Sequence, residues 1–378
     1  MRILFFSPYY SPYISGLTNY PRQLFLFLSK KHQITVLTFQ YQKNLKKEEM
    51  INGVRVVRLP YWWRVSKGFI SPQSWLAFWT MINQHDLVLL NLPSAEGLPL
   101  AIMTKLQNKP LRAIFLCQVN LGSGVVNQMI SWMLKQVVTI QLLLADRLVS
   151  LTYDYVKSLN LPPRIMRKMV YILPPILSHP IDAKYYRKLK EIKKKRIWVG
   201  FVGRVAREKG LNYLVKALQL LSAKKTVTVV FAGLYGAKVV GEADSFEHLC
   251  NQLRKSGIDY HFFGQLNDKQ LRAFYGAIDV LALPSINQTE AFGLVQLEAM
   301  QYGVPVVTTN LPGVRVPVWL TGMGRIVEPQ DEIALAKALE EVLDNPHYFR
   351  SKVRQNKVKK ITNINQVIAD YESQILSV

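Results

Sequence analysis

Cysteine is nearly absent: Cys117 and Cys250 are the only two in 378 residues. They lie far apart with no C-x-x-C spacing, which excludes a disulfide framework and a thiolate metal site and fits a reducing compartment. Acid is scarce too, with 25 Asp and Glu against 48 Lys and Arg and a net charge of +23. No window approaches the ~18 consecutive apolar residues of a membrane-spanning helix. The opening MRILFFSPYY has too short an apolar run before Ser7 and Pro8 for a secretory leader, and reads as a first strand. Short-period repeats and low-complexity tracts are also missing.

What is present is a globular composition, 49% hydrophobic with 20 glycines and 19 prolines. The length exceeds one ordinary core and implies two domains. Residues 1–196 hold 28 basic against 8 acidic side chains, and the rest 20 against 17. One half therefore faces something anionic: phospholipid headgroups, a lipid-linked diphosphate or nucleic acid.

From residue 196 the runs RIWVGFVGR, TVTVVFAG, YHFFG, DVLALP, VPVVTTN and GRIVEP read as short apolar strands separated by helices. That alternation predicts a parallel sheet covered on both faces. RILFFS, QITVLTFQ, VRVVRLP, DLVLLN, LRAIFL, DRLVSLT and MVYIL repeat the theme in the first half. The expected fold is α/β, two doubly wound Rossmann-like domains at 1–173 and 196–348, a linker at 174–195, and C-terminal helices at 349–378 packing back toward the first domain. Ligands of such sheets bind beyond the carboxyl ends of the strands, and two facing domains make a cleft.

Three segments sit at such ends. In TEAFGLVQLEAM, Gly293 lets the chain approach a ligand, and the amides of Ala291, Phe292, Gly293 and Leu294 open a helix suited to phosphate. Glu298, one turn beyond Leu294, needs a partner if buried, and ribose hydroxyls would supply donors; Glu290 lies nearer whatever extends beyond the phosphates. Taken alone, the two acids are equally a loop acid and a solvated helix residue. RVAREKG follows a strand with Arg204, Arg207 and Lys209 between Gly203 and Gly210, cations able to hold a diphosphate or simply to head a helix. Gly16 precedes an amphipathic helix in the first half, as a turn glycine or as a point of close approach to sugar or phosphate.

Together these segments resemble the retaining glycosyltransferases of the GT-B fold, glycosyltransferase family 4, over nearly the whole chain and most strongly from about 198 to 328. VGRVAREKGLNYLVKAL is similar to the family's donor-phosphate segment, FFGQLNDKQLRAFYGAIDVLALPS to its base-side loop and following helix, and TEAFGLVQLEAMQYGVPVVTTNLPGVRVPV to its hallmark pair of glutamates with seven residues between them. The resemblance implies that Arg204 and Lys209 grip a donor diphosphate, that Glu298 holds the ribose and that Glu290 contacts the transferred sugar. It further implies that Phe292, Gly293 and Leu294 face donor groups, that Gly264 borders the base, and that Gly16 contributes from the other domain. No metal and no cofactor are expected; the nucleotide-sugar is a substrate. The implied activity is hexosyl transfer to a lipid-linked glycan acceptor in cell-surface polysaccharide or glycolipid assembly, in the cytoplasm or at the inner face of the cell membrane.

One departure stands out. Where the family commonly carries a His followed by an Asp, this chain has LCQVNLGSG, with Leu116 or Cys117 at the His and Gln118 at the Asp. None of the six histidines replaces it, and His85 reads as a surface loop residue. A non-catalytic sugar-nucleotide-binding scaffold is the alternative this raises. On the acceptor side, YWWRVSKGFISPQSWLAFW interleaves aromatics with Arg64 and Lys67, and VVNQMISWMLKQVVTIQLLLA is a long apolar helix. Both suit a headgroup region or the cover of a sheet. Nucleic-acid motifs are lacking, and the scattered cations form no recognition element.

Overall fold

The computed structural model describes the chain except residues 14, 66, 67, 120–123, 178, 179, 224, 240, 241 and 378. Lys67, His179 and the NLGS part of the departing segment thus lie outside the described residues. The chain divides into two compact units, residues 1–175 with 363–378, and residues 176–362.

The first unit runs β1 (Arg2–Phe6), α1 (Gly16–Leu28), β2 (Gln33–Phe39), β3 (Glu48–Ile51), β4 (Val54–Leu59), β5 (Trp63–Val65), β6 (Gly68–Ile70), α2 (Ser74–Asn83), β7 (Leu87–Leu92), α3 (Gly97–Leu106), β8 (Leu111–Phe115), α4 (Val125–Leu144), β9 (Arg147–Ser150), α5 (Tyr153–Ser158), α6 (Pro163–Met166) and β10 (Met169–Tyr171). Its sheet has the order β10-β9-β8-β7-β1-β2-β4-β3. All neighbours are parallel except β3 with β4. The central strands are apolar at nearly every position because both faces are covered; β7, LVLLNL, is buried throughout. The edge strand β3 and the separate hairpin β5–β6 are too short and polar to stand out as alternating patterns.

The second unit continues with α7 (Ala183–Lys193), β11 (Ile197–Val202), α8 (Leu211–Ser222), β12 (Val227–Ala232), α9 (Ala243–Ser256), β13 (Asp259–Phe262), α10 (Asp268–Ala277), β14 (Val280–Leu283), α11 (Leu294–Gln301), β15 (Val306–Thr309), α12 (Val316–Thr321), β16 (Gly324–Val327), α13 (Glu332–Asp344), α14 (Pro346–Phe349) and α15 (Lys352–Ile361). Its strands, all parallel, have the order β13-β12-β11-β14-β15-β16. α8 buries Leu211, Leu214, Val215 and Leu218, the i, i+3, i+4, i+7 stripe that a sheet-covering helix needs.

The boundaries differ from the sequence expectation. The cationic stretch placed in a linker at 174–195 contains α7, capped by Asp182 and held to the second unit by Lys193, whose ammonium pairs with Asp279 at 2.6 Å and donates to the Ala277 carbonyl at 2.8 Å. Its other lysines, Lys184, Lys188 and Lys190, form the solvated face of an amphipathic helix. The tail expected at 349–378 also splits. α15 stays with the second unit, where Arg354 donates to the Gly322 carbonyl at 2.9 Å. Asn363 then caps α16 (Ile364–Tyr371), which belongs to the first unit. There the buried Tyr371 hydroxyl bonds that of Tyr20 on α1, and Arg112 donates to the Ile375 carbonyl at 3.0 Å.

Candidate functional site

In the second sheet, β12 and β13 lie on one side of β11 and β14 to β16 on the other, so the chain reverses direction between β11 and β14. At such a reversal the loops beyond adjacent strand ends diverge and leave a crevice. The loops after β11 and β14, residues 203–210 and 284–293, carry the RVAREKG and TEAFG segments. Backbone bonds fix them: Ile286 N donates to the Glu208 carbonyl at 3.0 Å, and Val205 N to the Leu234 carbonyl at 2.8 Å. Gly264, two residues beyond β13, accepts from Gly233 N at 2.8 Å.

Gly210 joins the two loops. It has φ +63°, and a Cβ there would lie 2.2 Å from the Pro284 carbonyl oxygen. Gly210→Ala combines left-handed strain with a backbone clash and is expected to cost about 2 kcal/mol or more. Thermal melting checks this; an unchanged midpoint would mean that the loops do not depend on this approach. Gly293, at φ +75°, starts α11 with its Cα against Leu283, where a Cβ would meet Cδ2 at 2.4 Å.

Two of the expected cations are held by acids. Lys209 Nζ is ion-paired with Glu290 Oε2, with 17% and 15% of the two side chains exposed. Arg204 pairs with Glu208 at 2.5 Å and is 43% exposed. Arg207 instead turns to α9, donating from Nε to Ser245 Oγ at 3.1 Å. The structure therefore brings Arg204, Lys209 and Glu290 to the reversal point, beside the first amides of α11, which have no intrahelical acceptor. An ammonium has three donors, so Lys209 can keep Glu290 and still bind an incoming oxyanion.

Glu298 is a different case. Of the two readings of this residue, the solvated one fails: Glu298 is 6% exposed. Its Oε2 accepts from the Tyr275 hydroxyl at 2.7 Å and lies 3.6 Å from Arg272 Nη1. Both partners come from α10, and the Arg272 guanidinium packs over the Tyr275 and Tyr302 rings. Burial and the adjacent carboxylate raise the Tyr275 pKa well above its ordinary value, so this phenol is a fixed donor. Protein groups thus supply the donors to Oε2 that ribose was expected to supply. Glu208, Arg272 and Tyr275 went unnoticed in the sequence, since nothing local links α10 to α11.

In the first unit the reversal lies between β1 and β7. Asn91, on β7, donates to Ser7 Oγ at 3.0 Å and to the Leu17 carbonyl at 2.9 Å, tying down the loop that leads to Gly16. A Cβ at Gly16 would meet nothing within 4 Å, so the chain's own packing leaves that space open. After β8, Leu116 is buried and its amide donates to the Leu92 carbonyl at 3.1 Å, while Gln118 N donates to the Tyr155 hydroxyl oxygen at 2.8 Å. Cys117, Gln118 and Val119 line a small hollow with Pro93, Leu134 and Val138. His85, expected on the surface, is buried, bonded at Nδ1 to the Met81 carbonyl (2.6 Å) and at Nε2 to Thr35 Oγ1 (2.9 Å). Burial lowers its pKa, which fits a neutral structural imidazole.

Residues 182–360 match the sequence profile described as glycosyl transferases group 1. An uncharacterized 41.2 kDa protein of the cps region of Klebsiella pneumoniae is 31% identical over 194 residues, 48% of this chain and 48% of that protein. The capsular polysaccharide biosynthesis glycosyltransferase CapM of Staphylococcus aureus is 27% identical over 195 residues, 49% of this chain and 46% of CapM. The chain thus aligns with about half the length of these curated relatives. The crystal structure of Anabaena HepE in complex with UDP and glucose superposes with a TM-score of 0.76 at 19% identity, covering 100% of this chain and 99% of that one. By these matches residues 182–360 resemble the glycosyl transferases group 1, and the chain as a whole has the GT-B fold.

Proposed function

We propose that the protein transfers a hexose-type sugar, with retention at the anomeric carbon, from a nucleotide-diphosphate-sugar to a lipid-linked glycan acceptor in cell-surface polysaccharide or glycolipid assembly. The observation that carries this reading is the Lys209–Glu290 pair at the β11–β14 reversal, beside the start of α11. The relatives in capsule-related settings and the UDP-bound HepE structure support the class of donor and pathway.

In this reading Arg204, Lys209 and the α11 amides hold the diphosphate. As the bond from anomeric carbon to phosphate oxygen breaks, its electron pair leaves with the diphosphate. Fixed cations and helix amides stabilise that growing charge more than they stabilise the ground state. The acceptor oxygen bonds the same face of the sugar and its proton passes to a donor phosphate oxygen, so neither His nor metal is assigned a role. Glu290 accepts from sugar hydroxyls while its other contact stays on Lys209; Glu298 orders the α10–α11 side of the nucleotide pocket, with Gly264 near the base.

A second reading, a sugar-nucleotide-binding scaffold, is favoured by one observation: of the two residues at the usual His position, Leu116 is a buried apolar side chain and Cys117 a half-buried thiol. A thermal-shift panel of UDP-, GDP-, ADP- and TDP-sugars separates the outcomes. At 100 times its dissociation constant the true donor adds about 2.7 kcal/mol and raises the melting midpoint by several degrees. If no sugar nucleotide shifts it, both readings fail. Binding without donor hydrolysis or transfer in a membrane extract would leave the scaffold.

A further inference from the structure

We propose that α2, α3 and α4 form a docking face for an anionic lipid surface. This locates the membrane contact of the acceptor reading above, but it rests on the exposure of these helices and not on the donor site.

A helix that covers a sheet buries a stripe along its length. α4 does not: of its 20 residues only Val138, Gln141 and Leu142 are buried. Every position from Val125 to Ile130 is exposed, with Val125 at 84% and Trp132, seven residues on, at 62%. α2 buries Phe78 and Ile82 while presenting Trp75 and Trp79, and α3 presents Leu106. The three helices form a continuous row, since α3 packs on both α2 and α4. Gln107 donates to the Trp79 carbonyl at 3.0 Å and Gln141 to the Ser94 carbonyl at 2.7 Å. An exposed apolar area of this extent marks a contact surface.

Charge selects the occupant. α2, α3 and α4 contain Lys105 and Lys135 and no acid. Beyond the end of α3, Lys109 adds a further cation, while Lys105 and the buried Arg112 pair with Asp146. A second copy would bring together two faces whose helices contain no acid, with no carboxylate on them for Lys135. A bilayer rich in anionic headgroups takes both features, with tryptophan rings at headgroup depth, aliphatic side chains below them and lysines on phosphate. No described helix is long and apolar enough to cross a membrane, so the contact proposed is with one leaflet.

The test is co-sedimentation of the full chain, without sugar nucleotide, with vesicles of phosphatidylcholine alone or mixed with phosphatidylglycerol. Wild-type protein is expected to pellet with the mixed vesicles and to be released by salt. The double variant Met129→Ser, Trp132→Ser is expected to partition about tenfold less with an unchanged melting midpoint, because both side chains are exposed. Should that variant fold poorly, quenching of wild-type tryptophan fluorescence by brominated lipid gives the same answer. Absence of pelleting, or pelleting with neither quenching nor sensitivity to the variant, overturns the proposal. So does a dimer in light scattering that the variant dissociates without any vesicle binding. None of these results bears on the donor panel, because neither Met129 nor Trp132 belongs to the proposed donor site.

Discussion

Lys209→Ala is expected to lower kcat by about two to three orders of magnitude, the loss seen when one fixed donor to a developing oxyanion is removed. In the reading above the ammonium is aimed at charge that appears only as the diphosphate departs, so KM should change far less than kcat. The same change leaves Glu290, 15% exposed, without its counter-ion, at an estimated ~1–3 kcal/mol of stability. Glu290→Ala strands the ammonium in turn. The double variant removes both charges and should be more stable than the sum of the single losses allows, the sign of a direct coupling. Kinetics and melting on the three variants check this. A kcat within a few-fold of wild type for Lys209→Ala would remove the cation from the chemistry, whatever the melting curves showed.

The second large effect is on stability. Glu298→Ala deletes the carboxylate beside a guanidinium that is 98% buried by the exposure of Arg272, 2%. Breaking a buried pair by removing one partner costs about 3–5 kcal/mol, because the other charge stays behind without water. For a unit of this size that lowers the melting midpoint by roughly 10 °C. The Tyr275 hydroxyl loses its acceptor as well. Glu298→Gln with Arg272→Met removes both charges but keeps an acceptor for Tyr275, and should recover most of the loss. A midpoint within 2 °C or so of wild type for Glu298→Ala would show that the pair is solvated and that Glu298 is free for a ligand alone.

Much of the second unit was legible in the sequence. RIWVGFVG and DVLALP are continuous apolar runs bounded by glycine or proline, and such runs can only be strands covered on both faces. RVAREKG and TEAFG follow them directly, and chain order places both at strand carboxyl ends. The linker expectation failed at α7 because a lysine-rich amphipathic helix has the composition of a solvated tether; only Leu189 and Lys193 are buried. The extent of α4 was legible, its cover was not. An apolar helix has the same pattern whether a sheet or solvent lies against it, and the structure leaves the first turns of α4 exposed.

By itself the sequence determined the doubly wound architecture, the positions of most strands, the loops that carry cations and acids, and the basic character of the first half. These follow from local periodicity and composition, which need no knowledge of what lies across the fold. Tertiary structure alone decided the pairing of Lys209 with Glu290, 81 positions apart, and that of Glu298 with Tyr275. It also decided that Leu116 points into the core and that α16 returns to the first unit. The physical reason is that a charge is assigned its partner by the strand order that brings two loops together, and that order is written in no single stretch of chain.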